Sequence, residues 1–119
     1  PDSPELLLAS ALANKTNGNI MRAESLAKEA LAKTTDIYLA ERSNFLLGEI
    51  FVETKRYDEA LSKFEEIIRK NPQSAEAWYF QGLIFVDSGE PIKARAAWRK
   101  AVSIDPMHPA ARQRLADRS

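Results

Sequence analysis

The chain has 119 residues, enough for one domain or part of one. Its 17 basic and 17 acidic side chains cancel, which argues against bulk attraction to nucleic acid or to an acidic lipid surface. It has no cysteine, which excludes disulfides and thiolate metal sites, and no apolar run approaches the length of a membrane-spanning helix.

Apolar residues recur at helical spacing almost throughout, and strand-like alternation is absent, so an all-α chain is expected. Breakers at Asn17-Gly18, Lys55-Arg56, Asn71-Pro72, Ser88-Gly89 and Asp105-Pro106 punctuate it. The predicted helices lie near 4–16, 19–33, 37–54, 57–70, 75–88 and 91–104, with a short seventh from about 109 to 117. Ser3-Pro4, Glu90-Pro91 and His108-Pro109 each put proline in a first turn, where its missing N–H costs nothing. Ser74 is placed to cap the fifth helix. The chain opens at Pro1-Asp2-Ser3-Pro4, without a methionine or a signal-peptide pattern, and reads as a fragment. Charge is uneven along it. Residues 35–90 carry eleven acids and six bases, a net of −5, and residues 91–119 carry seven bases and two acids, a net of +5. Solvated helix faces account for this; a sharper reading is a polar module whose C-terminal end meets an acidic partner or a neighbouring copy.

Two stretches superimpose at an offset of 34 residues. Asn44, Leu47, Gly48, Phe51, Ala60, Phe64, Ile67 and Pro72 align with Trp78, Gln81, Gly82, Phe85, Ala94, Trp98, Ala101 and Pro106. Glycine inside a helix costs roughly 1 kcal/mol against alanine, so two glycines at one register point to close helix packing. Gly48 is expected to face Ala60, and Gly82 to face Ala94, while Phe64 and Trp98 fill the space toward the next hairpin. Pro72 and Pro106 end each hairpin and turn the chain into the next.

This pattern resembles the tetratricopeptide repeat family over residues 41–106. Gln81 stands where the family carries an apolar residue, and Asn44 where it carries an aromatic. The resemblance implies an all-α, right-handed superhelix of antiparallel hairpins: a degenerate repeat at 4–36, repeats at 41–74 and 75–108, and a partial or capping helix at 109–119, forming one domain. In the degenerate unit Ala11 takes the glycine position. From Ala23 to Ala60 is 37 residues, three more than the period, and Ile37-Tyr38-Leu39-Ala40 would absorb the surplus as an extra turn of the third helix.

No catalytic motif survives inspection. There is no P-loop, Gly-x-Gly-x-x-Gly or His-Glu-x-x-His pattern. His108, the only histidine, reads as a helix-start residue, Glu65-Glu66 as solvated carboxylates, and Trp78 and Trp98 as core residues. Neither cofactor nor metal is expected, and the chain is not expected to be an enzyme by itself.

The resemblance implies a concave groove lined by the first helix of each hairpin. Here it would present Arg42, Phe45, Glu49, Val52 and Glu53, then Glu76, Tyr79, Leu83, Val86 and Asp87, with Glu5, Leu8, Leu12 and Lys15 from the first hairpin. Chaperone-tail binders of the family clamp a carboxylate with lysine and asparagine, and here those places hold Phe45, Leu46, Glu49, Tyr79, Phe80 and Leu83. The clamp is missing. The implied partner is a protein segment with apolar anchors and some Lys or Arg, selected by Glu53 and Asp87, and the implied job is scaffold, adaptor or assembly factor. Two other classes stay open: a substrate-recruiting region of a larger enzyme, and a self-assembling oligomer.

Overall fold

Four helix starts in this chain, those of the first, third, fifth and seventh helices, are set by side chains that accept the first orphan N–H groups. Ser3 Oγ accepts from Leu6 N–H at 3.2 Å, Asp36 Oδ1 from Leu39 N–H at 2.9 Å, Ser74 Oγ from Ala77 N–H at 3.3 Å, and His108 Nδ1 from Ala111 N–H at 3.1 Å. The computed structural model describes residues 3–117, and among these the helices are α1 (Pro4–Thr16), α2 (Ile20–Lys33), α3 (Ile37–Glu53), α4 (Tyr57–Lys70), α5 (Ala75–Asp87), α6 (Pro91–Ile104) and α7 (Pro109–Ala116), with no strand. Pro4, Pro91 and Pro109 occupy first turns, as the sequence predicts. Arg118 and Ser119 lie outside the described residues. No described helix is long and apolar enough to cross a membrane.

Three helices end in the same hydrogen-bonded wrap. After α1, α3 and α5 the chain passes through a left-handed residue: Gly18 (φ 86°), Lys55 (φ 61°) and Gly89 (φ 84°). Each donates its N–H three residues back, and the next residue donates five back: Asn19 to Asn14 at 2.8 Å, Arg56 to Phe51 at 2.8 Å, Glu90 to Phe85 at 2.7 Å. Glycine adopts this conformation freely; lysine does so against its Cβ. Lys55→Gly should therefore raise stability by about 0.5–1 kcal/mol, less what the freer unfolded chain takes back. A urea midpoint below wild type would refute this.

The chain separates into two compact units, Pro1–Lys63 and Phe64–Ser119, with the division inside α4. In the first, α1 and α2 form a hairpin around a three-residue turn, and α3 packs against both. Leu7, Ala11, Ala23, Ala27, Leu47, Ile50 and Phe51 are buried. Gly48 and Ala60 are buried as well. So is Asn44, in the place of the family's aromatic, and its Oδ1 has no hydrogen-bond partner among the described residues.

The first unit also buries an ion pair. Glu24 on α2, only 5% exposed, accepts from both guanidinium nitrogens of Arg56, with Nη1 to Oε2 at 3.0 Å and Nη2 to Oε1, and Lys28 Nζ lies 2.8 Å from Oε2. The Arg56 guanidinium sits 4.6 Å from the Phe51 ring centroid, and its Nε donates to Thr54 Oγ1 at 2.9 Å. The Arg56 hydrogen bonds hold the Glu24 carboxyl at about 2, against an ordinary 4.5; burial opposes the shift and Lys28 assists it.

In the second unit α5 and α6 pair and α7 packs on α6. The glycine register differs here from expectation in one respect. A Cβ on Gly82 would lie 2.3 Å from Trp98 Nε1 and 2.6 Å from its Cδ1, so the nearest neighbour is the indole ring and not Ala94. Ala94 is buried in the same cluster, with Trp98, Ala101 and Ala111. The indole N–H donates to the Tyr79 carbonyl at 3.2 Å. Trp78 is half-buried, and its own N–H donates to the Pro72 carbonyl at 3.3 Å. Arg95 reaches from α6 to the end of α7, donating from Nη2 to the Leu115 carbonyl at 3.0 Å and from Nη1 to the Asp117 carbonyl at 3.4 Å.

Candidate functional site

One stripe of α3 carries Tyr38, Arg42, Phe45 and Glu49, at spacings of four, three and four residues, so all four side chains leave one side of the helix. Opposite part of this stripe, α1 offers Leu8 and Leu12. Leu8, Leu12, Glu41, Arg42, Phe45, Leu46 and Glu49 line a pocket of about 210 Å³ within the first unit. Leu8 and Leu46 form its buried wall, Phe45 is half-buried, and Leu12 is 38% exposed. The Arg42 guanidinium lies 5.7 Å from the Tyr38 ring centroid. The pocket has an apolar floor and a rim of two carboxylates and one guanidinium, and it holds no catalytic pairing of nucleophile and base.

Of the residues expected in the groove, the first unit thus gathers Arg42, Phe45 and Glu49 with Leu8 and Leu12. Val52 is half-buried and outside the pocket. Glu53 is paired with Lys15 at 3.0 Å, an ion pair within the unit that the sequence had placed as two separate groove charges. Glu5 is exposed.

The second unit treats its set differently. Tyr79 and Leu83, expected in the groove, both pack against the Trp98 cluster. The Tyr79 ring also lies 5.2 Å from His108 and 5.5 Å, edge-on, from Phe80. The physical reason is that α5 is apolar on nearly every side, so periodicity does not single out a free face. Glu76 is exposed but bonded to His108 Nε2. Since His108 Nδ1 accepts the Ala111 N–H, the network assigns the imidazole proton to Nε2, which donates to the Glu76 carboxylate. Val86 and Asp87 are exposed. Val86 joins Pro91, Arg95, Trp98, Arg114 and Asp117 around a second pocket of about 190 Å³. Among the described residues no group of three or more His, Cys, Asp or Glu side chains is arranged to hold a metal ion.

A family model described as tetratricopeptide repeat matches residues 8–75 and 55–111. No curated protein sequence matches the chain significantly. Among solved structures, MamA 41-end from Desulfovibrio magneticus RS-1 is 26% identical with a TM-score of 0.81, covering 95% of this chain and 62% of its own. YrrB, described as a TPR protein with an unusual peptide-binding site, is 21% identical with a TM-score of 0.86, covering 95% of this chain and 57% of its own. The first TPR of Spaghetti (RPAP3), bound to the HSP90 peptide SRMEEVD, is 13% identical with a TM-score of 0.84, covering 95% of this chain and 87% of its own. The chain therefore spans less than two thirds of the length of the first two. The matched residues, the helix order and the glycine-centred hairpin of α5 and α6 agree: the chain belongs to the tetratricopeptide repeat family.

Proposed function

We propose that this protein is an interaction module, a scaffold or adaptor that holds a segment of another protein through the pocket between α1 and α3. The observation that carries the reading is that pocket itself: a concave site with an apolar floor and a charged rim, on the first helices of two hairpins. The peptide-binding site of YrrB and the peptide bound to the Spaghetti repeat support a segment as the kind of partner. The charge supports a different segment from SRMEEVD. Two carboxylates, Glu41 and Glu49, border the site against one guanidinium, which favours a partner with apolar anchors and Lys or Arg. In the second unit Val86 and Asp87, with the outer edges of Tyr79 and Leu83, are proposed as further contacts. The chemistry present gives no reason to assign the chain a reaction of its own.

A phage-displayed peptide library selected on the immobilised protein tests this. Selected peptides should lose about 1–3 kcal/mol of affinity on Phe45→Ala, and their consensus should pair an apolar residue with a basic one. Peptides indifferent to Phe45→Ala but abolished by Arg112→Glu would move the site to the exposed face of α7.

A further inference from the structure

On α5, Trp78, Gln81 and Phe85 follow at spacings of three and four residues and share one side of the helix, apart from the stripe that carries Tyr79, Leu83 and Val86. On α6, Lys93, Ala96, Ala97 and Lys100 likewise share one side. Within the second unit Trp78, Gln81, Phe85, Lys93, Ala96 and Ala97 line a pocket of about 230 Å³. The two alanines leave it open, because they put only methyl groups between the lysines. Each aromatic wall lies beneath an ammonium: Lys93 Nζ is 5.8 Å from the Phe85 ring centroid, and Lys100 Nζ is 5.9 Å from the Trp78 ring. Both rings pack against the Trp98 cluster, which holds the walls in place. Gln81 lies between them along α5. It is only 8% exposed, yet its carboxamide has no hydrogen-bond partner among the described residues. A buried amide without a partner is costly in apolar surroundings, and this one borders a cavity that a ligand can enter. The position is also the one where the family carries an apolar residue.

We propose that this pocket is a second binding site, for an acidic segment of another protein that inserts a glutamate side chain between Trp78 and Phe85. It shares no residue with the α1–α3 pocket and does not depend on it. The glutamate stem covers the ring walls, and its carboxylate accepts from the Gln81 amide, so that no buried polar group is left unpaired. A leucine would fill the same space and leave the amide dry. The surrounding charge sets the sign of the partner. α6 carries Lys93, Arg95, Arg99 and Lys100 and no acid. Arg95 is spent on the end of α7, and Lys93 already meets Glu90 at 3.0 Å. Arg99 and Lys100 are exposed and have no ion-pair partner among the described residues, so they are the cations that flanking carboxylates would meet. The acids of α5, Glu76 and Asp87, stand about half a turn away from Trp78, Gln81 and Phe85. Nucleic acid fits less well, since both rings lie under lysines instead of open for stacking, and the charges of the whole chain cancel.

The test is an NMR titration of the isotope-labelled full chain with the capped peptide Ser-Asp-Asp-Glu-Asp-Asp-Ser and with versions carrying Leu or Lys at the central position. The Gln81 carboxamide and the Trp78 indole N–H should shift, while the Trp98 indole N–H, bonded to the Tyr79 carbonyl, should stay. The Glu peptide should bind roughly fivefold more tightly than the Leu peptide, and the Lys peptide more weakly than either. Gln81→Leu, which restores the family's residue type, should reverse the order of Glu and Leu, read at the Trp78 indole. Lys100→Glu should weaken the Glu peptide about tenfold and flatten its salt dependence. No movement of the two signals up to about 1 mM peptide, a Leu preference in wild type, an order unchanged by Gln81→Leu, or indifference to Lys100→Glu overturns the proposal. So does a stronger response of the same signals to a ten-residue oligothymidine or to phosphatidylserine vesicles, which would assign this face to nucleic acid or to a lipid surface.

Discussion

Glu24→Gln should lower stability at pH 7 by roughly 2–3 kcal/mol, far more than an ordinary surface charge. The carboxyl is held at about 2 against an ordinary 4.5, which corresponds to roughly 3 kcal/mol of preferential binding of the charged form by the folded chain. Glutamine keeps the volume but offers Arg56 and Lys28 no charge. The folded value lies below the unfolded one, so the contribution is complete above the unfolded value of about 4.5 and drains away as pH falls through about 2. Wild type and Glu24→Gln should therefore differ most in urea unfolding at neutral pH and converge toward pH 2. A constant gap between them down to that pH would mean that shape, not charge, makes the difference.

The second large effect is expected at Gly82→Ala. On propensity alone this change would favour the helix by roughly 1 kcal/mol. Here the added methyl would stand 2.3 Å from Trp98 Nε1, inside any real contact distance. The ring has little room to yield, since it is buried and its N–H is spent on the Tyr79 carbonyl. Overpacking and a strained or lost hydrogen bond should together cost about 2–4 kcal/mol, and Gly82→Leu should cost more. Pairing Gly82→Ala with Trp98→Leu should recover part of the loss, because the second change opens the space the first one needs. Additive losses in the double variant would mean that the two side chains do not compete for the same space.

Helix ends were legible in the sequence because their signals are local. Proline at a first turn, a serine or histidine cap and a glycine after the last turn act within a few residues, so the predicted α1 and α6 coincide with those observed; α4 coincides as well, bounded by the breakers Lys55-Arg56 and Asn71-Pro72. The 34-residue offset likewise located the packing glycine at 82. It did not reveal which side chain met that glycine, because the partner depends on how far α6 is rotated against α5. Contacts between distant residues left no trace in spacing. Glu24 and Arg56 are 32 residues apart, as are Glu76 and His108, and nothing in their spacing pairs them. Lys15 and Glu53 were both assigned to the groove, but only the fold shows them bonded to one another. On α3, Arg42, Phe45 and Glu49 leave one side of the helix, while Val52 and Glu53 lie outside the pocket; on α5 the run from Trp78 to Val86 is apolar on most sides, so periodicity marks no face there.

The last helix is gripped at its backbone ends, by the His108 imidazole at its start and the Arg95 guanidinium at its finish, while Ala111 is its one fully buried side chain. Its remaining outward positions are consequently open to chemistry of the experimenter's choosing. A cysteine at exposed Ala116, in a chain that has no other thiol, gives a unique attachment point for a dye, a surface linker or a spin label. Such a probe would ride on a helix fixed from both ends.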